Sequence, residues 1–282
     1  MGRDENCSSR QNQKKRIYVG AINDEQPAKR KGHTVSDILG WRGLFGILGP
    51  STNTVVQPEF DNMRPDGVTN HYSRILTPNA DAVSNESFMN ATLVIANNVL
   101  EAVDSVMTCS PSYLVMGMSA ITFYGGSKGA DDFQRQVENR SNLSVSIGSH
   151  ATSAALKMFS GVKRIGFVSP YFPAANEQVR HYFEEMGFDV VTDICLECPS
   201  WTQIAQVPKN VIHQKMHEIN DKGVDALVQV GTNLPMAHLV EEFEAEFKKP
   251  VVAINTATYW HALRNNNIND QLEGFGSLMS QY

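Results

Sequence analysis

The sequence predicts an α/β protein built from a duplicated unit with buried parallel strands. Two observations carry this. Leu114-Val115-Met116-Gly117-Met118-Ser119 and Leu227-Val228-Gln229-Val230-Gly231-Thr232-Asn233 are each an apolar, strand-like run that breaks at a glycine into hydroxyl or amide residues. Each is preceded, at a similar distance, by a second run of the same kind. Gly46-Ile47-Leu48-Gly49-Pro50 leads into Ser51-Thr52-Asn53, and Gly166-Phe167-Val168-Ser169-Pro170 leads into Tyr171 and Asn176. Apolar strands without polar alternation belong to parallel sheets covered on both faces, and such sheets place ligand sites at the carboxyl ends of their strands.

Residues 1–40 are polar, with the basic cluster Lys29-Arg30-Lys31 and one short apolar run, Ile17-Tyr18-Val19, and are expected to form an extension. Leu44-Phe45-Gly46-Ile47-Leu48 is the first buried-strand signal. Residues 87–106 carry Phe88, Leu93, Val94, Val99, Leu100 and Val103 at helical spacing, and a strand is expected at 113–117. A second strand–helix round follows, with alternation over 143–147 and a helix over 151–159. The second half repeats the theme: strand 164–169, helix 176–186 ended by Gly187, strand 190–194, helix 208–222 ended by Gly223, strand 226–230. A helix over 234–247 and a last strand over 251–255 complete it. Glycine just past a helix is a common stop signal. Residues 258–282 are expected to fold back onto the first unit. The boundaries read as an extension over 1–40, a first α/β domain over 41–147 plus 257–282, and a second over 148–256.

Bulk properties narrow the function. At 282 residues, 41% apolar and with mixed charge, the chain reads as a globular enzyme. A formal charge of −6 and the lack of a Lys/Arg stripe leave no electrostatic footprint for nucleic acid. No apolar run approaches the roughly 20 residues needed to span a bilayer. Met1-Gly2-Arg3-Asp4-Glu5-Asn6 lacks a signal-peptide core, so a cytoplasmic location is expected. Four cysteines, Cys7, Cys109, Cys195 and Cys198, are too few for a disulfide scaffold. Cys195-Leu196-Glu197-Cys198 has half-site spacing but no second pair or histidine pattern, so these read as free thiols and no metal is expected.

The motifs resemble the maleate isomerase and arylmalonate decarboxylase branch of the aspartate/glutamate racemase superfamily. The matching pieces are Gly49-Pro50-Ser51-Thr52-Asn53-Thr54-Val55, Met116-Gly117-Met118-Ser119-Ala120 through Phe123-Tyr124, Ser169-Pro170-Tyr171 and Gly231-Thr232-Asn233-Leu234-Pro235. Pro250-Val251-Val252 followed by Tyr259-Trp260-His261-Ala262-Leu263-Arg264 extends the match. The resemblance implies two similar Rossmann-like (flavodoxin-like) domains related by a pseudo-twofold axis, a cleft between them for a small carboxylate, and no cofactor. It also implies a cysteine in each half of the racemases and maleate isomerase, and only the second in the decarboxylase. Here those positions fall on Gly117 and Gly231, which removes a two-thiol mechanism.

Candidate site residues follow. Ser51, Thr52 and Asn53 sit where the resemblance places a substrate carboxylate, although helix capping explains the same residues. Gly117, Met118 and Ser119 resemble a segment lining a dioxyanion hole, and Met118 replaces a threonine there. Tyr171 matches a tyrosine that touches the carboxylate, and Gly231, Thr232 and Asn233 resemble the second donor loop. With the thiols gone, Ser119, Tyr171 and His150 are the candidate catalytic groups. His150 follows a strand and opens a helix, a setting that favours the neutral imidazole. Tyr124 is a weaker candidate, and His238 and His261 read as packing or surface residues. No Arg or Lys occurs in the four donor loops, which suits chemistry in which a carboxylate gives up its charge. The expected activity is a cofactor-independent lyase or decarboxylase acting on a small carboxylic or malonate-like dicarboxylic acid through an enediolate-like intermediate. The alternatives are cis–trans isomerisation of a maleate-like diacid with a non-cysteine base, and a non-catalytic binder of small acids. Homo-oligomerisation is left open.

Overall fold

The structure, a computed structural model, describes residues 37–79 and 84–282, so the expected extension lies outside the described residues except for its last four positions. Two four-stranded parallel sheets carry the chain. In the first, strands β1 (Gly43–Pro50), β2 (Val68–Ile75), β3 (Tyr113–Met116) and β4 (Val145–Ser146) lie in the order β2-β1-β3-β4. The second, with β5 (Arg164–Ser169), β6 (Asp189–Cys195), β7 (Ala226–Gln229) and β8 (Val251–Ala253), repeats it as β6-β5-β7-β8. All pairings are parallel. The helices are α1 (Val56–Asn62), α2 (Asn85–Asn97), α3 (Val99–Met107), α4 (Gly126–Ser141), α5 (Gly148–Met158), α6 (Pro173–Glu185), α7 (Lys209–Asn220), α8 (Val240–Phe247), α9 (Ile254–Asn265) and α10 (Ser277–Gln281).

The central strands are the ones readable as apolar runs. Phe45, Ile47, Leu114, Val115, Phe167 and Val228 are fully buried, because helices cover both faces of each sheet. Strand β2, Val-Thr-Asn-His-Tyr-Ser-Arg-Ile, carried no such signal. It is an edge strand, bonded on one side only and half-exposed through its middle, so nothing demands an apolar sequence. Strand β4, the opposite edge, shrinks the alternating stretch 143–147 to two residues.

Three expectations change. The periodic stretch 87–106 is two helices that meet at Asn98, whose Nδ2 donates to the Leu76 carbonyl at 2.7 Å. The helix expected from 234 starts only at Val240, after a single 3-10 turn, Ala237–Leu239. The last strand ends at Ala253 rather than 255, and helix α9 begins at once. Val-Val-Ala-Ile-Asn is a short apolar run of the kind that strand and buried helix share, and periodicity alone does not separate them.

Helix α9 is buried on nearly every side and turns the chain back to the first sheet. Its Tyr259 hydroxyl donates to Asn70 Oδ1 on β2 (3.1 Å), His261 Nδ1 meets Ser146 Oγ on β4 (2.8 Å), and Asn265 Nδ2 donates to the Tyr113 hydroxyl (3.0 Å). Arg264 Nε donates to the carbonyl of the last residue, Tyr282, at 2.8 Å. Among the described residues no helix is long and apolar enough to cross a membrane.

Candidate active site

The loops that leave the four central strands, β1, β3, β5 and β7, converge on one cavity. Pro50, Thr52 and Asn53 line it after β1, Met118, Ser119 and Ala120 after β3, Pro170 and Tyr171 after β5, and Gly231, Thr232 and Asn233 after β7. The remaining walls are Thr77 just after β2, Thr92 and Ile95 of α2, and Trp201 and Ile204. The cavity volume is about 50 Å³.

Hydrogen bonds knit the loops of the two halves together. Ser119 Oγ and the Tyr171 hydroxyl lie 2.6 Å apart, and the Thr232 N–H donates to the same Ser119 Oγ at 3.2 Å. Asn53 Nδ2 donates to Thr232 Oγ1 (3.2 Å), and the Thr54 N–H to Asn233 Oδ1 (3.0 Å). Within the Ser119–Tyr171 pair only one O–H is used between the two. Whichever residue donates, the other's proton is left for a ligand. Tyr171 is buried, and that burial pushes its phenol above the ordinary range despite the opposing hydrogen bond from Ser119, so it stays protonated. The backbone N–H groups of Thr52, Met118, Ser119 and Asn233 donate to no acceptor among the described residues. Trp201 Nε1–H is also buried with no hydrogen-bond partner among the described residues.

Other predicted residues lie differently. Ser51 is exposed and off the cavity, where its Oγ accepts from the Thr77 N–H at 2.9 Å and so closes the turn after β2. Asn53 reaches the wall but caps α1, its Oδ1 accepting from the N–H groups of Val55 and Val56 at 2.9 Å. Asn233 is likewise occupied, its Nδ2 donating to the Trp201 carbonyl at 2.8 Å. Gly117 sits behind the wall, and its N–H extends the sheet by donating to the Leu48 carbonyl at 2.7 Å. His150 is a correction. It faces α4, with Nδ1 2.6 Å from Gln134 Oε1 and Nε2 3.2 Å from Asp131, and does not line the cavity. Tyr124 is exposed and also outside it.

Cys109, Cys195 and Cys198 are free thiols that do not line the cavity, and burial pushes Cys195 up to about 12 and Cys198 to about 11, which keeps both un-ionised. At the two glycines a side chain does not fit as the backbone stands. Gly231 has φ +108°, and a Cβ there would lie 2.3 Å from Pro170 Cδ. A Cβ on Gly117 would lie 2.6 Å from Val56 Cγ1.

Sequence reasoning missed the supporting charge. Glu59 on α1 is buried, and desolvation raises its carboxyl above the usual range against three hydrogen bonds. Its Oε1 accepts from the N–H groups of Met236 and Ala237 (both 3.0 Å), and its Oε2 from Asn255 Nδ2 (2.7 Å). Asn255 Nδ2 also donates to the Thr232 carbonyl at 2.9 Å, so this carboxyl braces the second donor loop. Arg74 of β2 does the same for the first loop, with its guanidinium donating to the Asn53 carbonyl at 2.6 Å. Neither has a motif signature, because both act across the fold. Trp201 and Ile204 follow a polar, proline-containing stretch and gave no periodic signal either.

A profile of the arylmalonate decarboxylase family matches residues 45–279. The chain belongs to that family. Maleate isomerase from Nocardia farcinica is 30% identical over 120 residues, covering 42% of this chain and 48% of that protein, so the match spans about half of its length. Among solved structures, a mutant of the Nocardia farcinica maleate cis–trans isomerase with a covalently bound succinylcysteine intermediate has a TM-score of 0.74 at 23% identity, covering 85% of this chain and 98% of that one. A double mutant of arylmalonate decarboxylase in its liganded form has a TM-score of 0.72 at 16% identity, covering 85% and 99%. The shared feature is the α/β fold with two parallel four-stranded sheets. The family is one of cofactor-independent isomerases and decarboxylases.

Proposed function

We propose that this family member is a decarboxylase-type lyase for a small, malonate-like acid, working through an enediolate-like intermediate. One observation supports it above the others. The described residues lining the cavity include no thiol, carboxylate, imidazole or cation, yet they offer a protonated phenol paired with a serine beside unpaired backbone N–H groups. That set stabilises an oxyanion and supplies a proton, and it offers no strong nucleophile or base.

Decarboxylation needs no more than that. The retained carboxylate accepts from the Met118 and Ser119 N–H groups and from the O–H left over in the Ser119–Tyr171 pair. The departing carboxylate lies against the apolar wall of Ile95, Ala120 and Ile204, where losing its charge as CO₂ relieves desolvation. The C–C bond breaks and leaves its electron pair on the α-carbon, delocalised into the retained carboxylate as the enediolate. Tyr171 O–H then gives its proton to that carbon, and water restores the phenol.

The similarity to maleate isomerases supports a second reading, cis–trans isomerisation of a maleate-like diacid. That reaction needs a nucleophile to convert the double bond to a single one. The covalent intermediate named for the Nocardia enzyme is on a cysteine, and this cavity offers only hydroxyls without an adjacent base. A panel of malonates and maleate in D₂O, followed by ¹H and ¹³C NMR, tests both readings. The expected result is CO₂ release with deuterium at the α-carbon of the product acid. Fumarate formed from maleate without CO₂ would replace the proposal with the isomerase, and ligand-induced stabilisation without any turnover would leave a binding protein.

A further inference from the structure

Away from the cavity, helices α7 and α8 pack with their histidines and glutamates in register. His213 and His217 lie one turn apart on α7, and Glu242 and Glu246 one turn apart on α8, spacings that put each pair on a single helix face. His217 Nε2 is 3.1 Å from Glu246 Oε1, and His213 Nε2 is 3.4 Å from Glu242 Oε1. Aromatic rings fix both imidazoles from behind. His213 packs on Phe243 with centroids 4.6 Å apart, His217 stands edge-on to Phe247 at 5.0 Å, and the two phenylalanines stack on each other at 5.5 Å.

Two features go beyond a pair of surface ion pairs. The ligating atoms of His213, His217 and Glu246 all lie within 4.8 Å of one another. His213 Nε2 is moreover buried and, among the described residues, makes no hydrogen bond, Glu242 Oε1 at 3.4 Å being poorly aligned for one. A buried ring nitrogen with no hydrogen bond of good geometry, set beside a second imidazole and two carboxylates, is what a borderline divalent cation takes. We propose that His213, His217 and Glu246 form a binding site for a divalent transition-metal ion of the zinc type, bridging α7 and α8. Zinc bonds of about 2.0–2.1 Å need ligand atoms about 3.3 Å apart, so the site closes by side-chain adjustment of His213. Lys209 Nζ donates to Glu242 Oε2 at 2.8 Å and leaves Oε1 turned to His213 at 3.4 Å, where it completes the coordination or orients His213. Imidazole nitrogens select Zn²⁺, Co²⁺ or Ni²⁺ over Mg²⁺ and Ca²⁺. The ion would clamp α7 to α8, the helix that follows the Gly231–Asn233 loop, and it takes no part in the proposed decarboxylation.

The test uses tag-free, EDTA-treated protein titrated with ZnCl₂ by calorimetry, with CoCl₂ absorbance reporting the ligand set. One Zn²⁺ per chain and a raised melting temperature are expected. Loss even of an outer-shell partner costs 10–100-fold, so His213→Ala, His217→Ala and Glu246→Gln should each weaken Zn²⁺ by about tenfold or more. All four side chains reach the surface, so melting curves in EDTA should match wild type and show that the variants fold. Absence of Zn²⁺ binding below about 100 µM, a free energy too small for a built site, overturns the proposal. So does wild-type affinity in all three variants, which would place the ion elsewhere.

Discussion

Replacing Gly231 by alanine adds one carbon at the point where the two halves meet, and the structure sets its cost. Gly231 has φ +108°, outside the ordinary range for an L-residue, and its backbone strain alone costs about 1–3 kcal/mol. The new Cβ would lie 2.3 Å from Cδ and 2.5 Å from Cγ of Pro170, a closed ring that cannot rotate away. Overpacking of that kind adds about 1–3 kcal/mol. The sum, about 2–6 kcal/mol, is best read by urea denaturation, and on melting it corresponds to a fall of at least about 4 °C. Gly117→Ala is the internal control. Its φ is not positive, and its closest contact, Val56 Cγ1 at 2.6 Å, is the end of a side chain. It should cost less, and Val56→Ala should relieve part of the penalty. A Gly231→Ala protein within about 1 kcal/mol of wild type would refute the reasoning. It would mean that the loop readily leaves its left-handed conformation and that a thiol could sit in the cavity after all.

On a substrate turned over by the wild type, Tyr171→Phe should lower kcat by about 100-fold or more, since it removes the proton donor. Ser119→Ala should lower it by about tenfold or more, while the lost neutral hydrogen bonds, one in Tyr171→Phe and two in Ser119→Ala, cost only about 1 kcal/mol of stability each. Steady-state kinetics beside melting curves separates the two effects. Glu59→Ala leaves the Met236 and Ala237 N–H groups and Asn255 Nδ2 without their acceptor, and should cost about 3 kcal/mol or more in urea. Burial, then repulsion from His150, lowers the His261 imidazole to about 4. Between its unfolded value of about 6.5 and that figure the unfolded chain binds more protons, so acidification across the window lowers stability by at most about 3 kcal/mol. Glu59, raised by burial, acts with the opposite sign. Denaturation midpoints from pH 7 to 4 should therefore fall less steeply in His261→Gln than in wild type.

The donor loops were legible because each follows a central strand, where burial on both faces forces an apolar run and the break into Ser, Thr or Asn stands out. Thr52, Asn53, Met118, Ser119, Tyr171, Gly231, Thr232 and Asn233 all reach the cavity for that reason. Strand β2 and helix α9 were not legible, one because an edge strand needs no apolar sequence and the other because a short buried run fits strand and helix alike. His150 misled because starting a helix after a strand fixes position along the chain but not the face. The side chain turned to Gln134 and Asp131 on α4.

The repeated pattern of apolar runs ending in glycine and hydroxyl residues was enough by itself to give the α/β class, the duplication and the neutral character of the site, since burial and backbone geometry are written locally. Tertiary structure alone decided which hydroxyls pair across the halves, that Ser119 and Tyr171 hydrogen-bond to each other, and that Glu59 braces the second loop from the first half. Those contacts join residues 23 to 196 positions apart, and no local signal encodes a distance that the packing of two sheets creates.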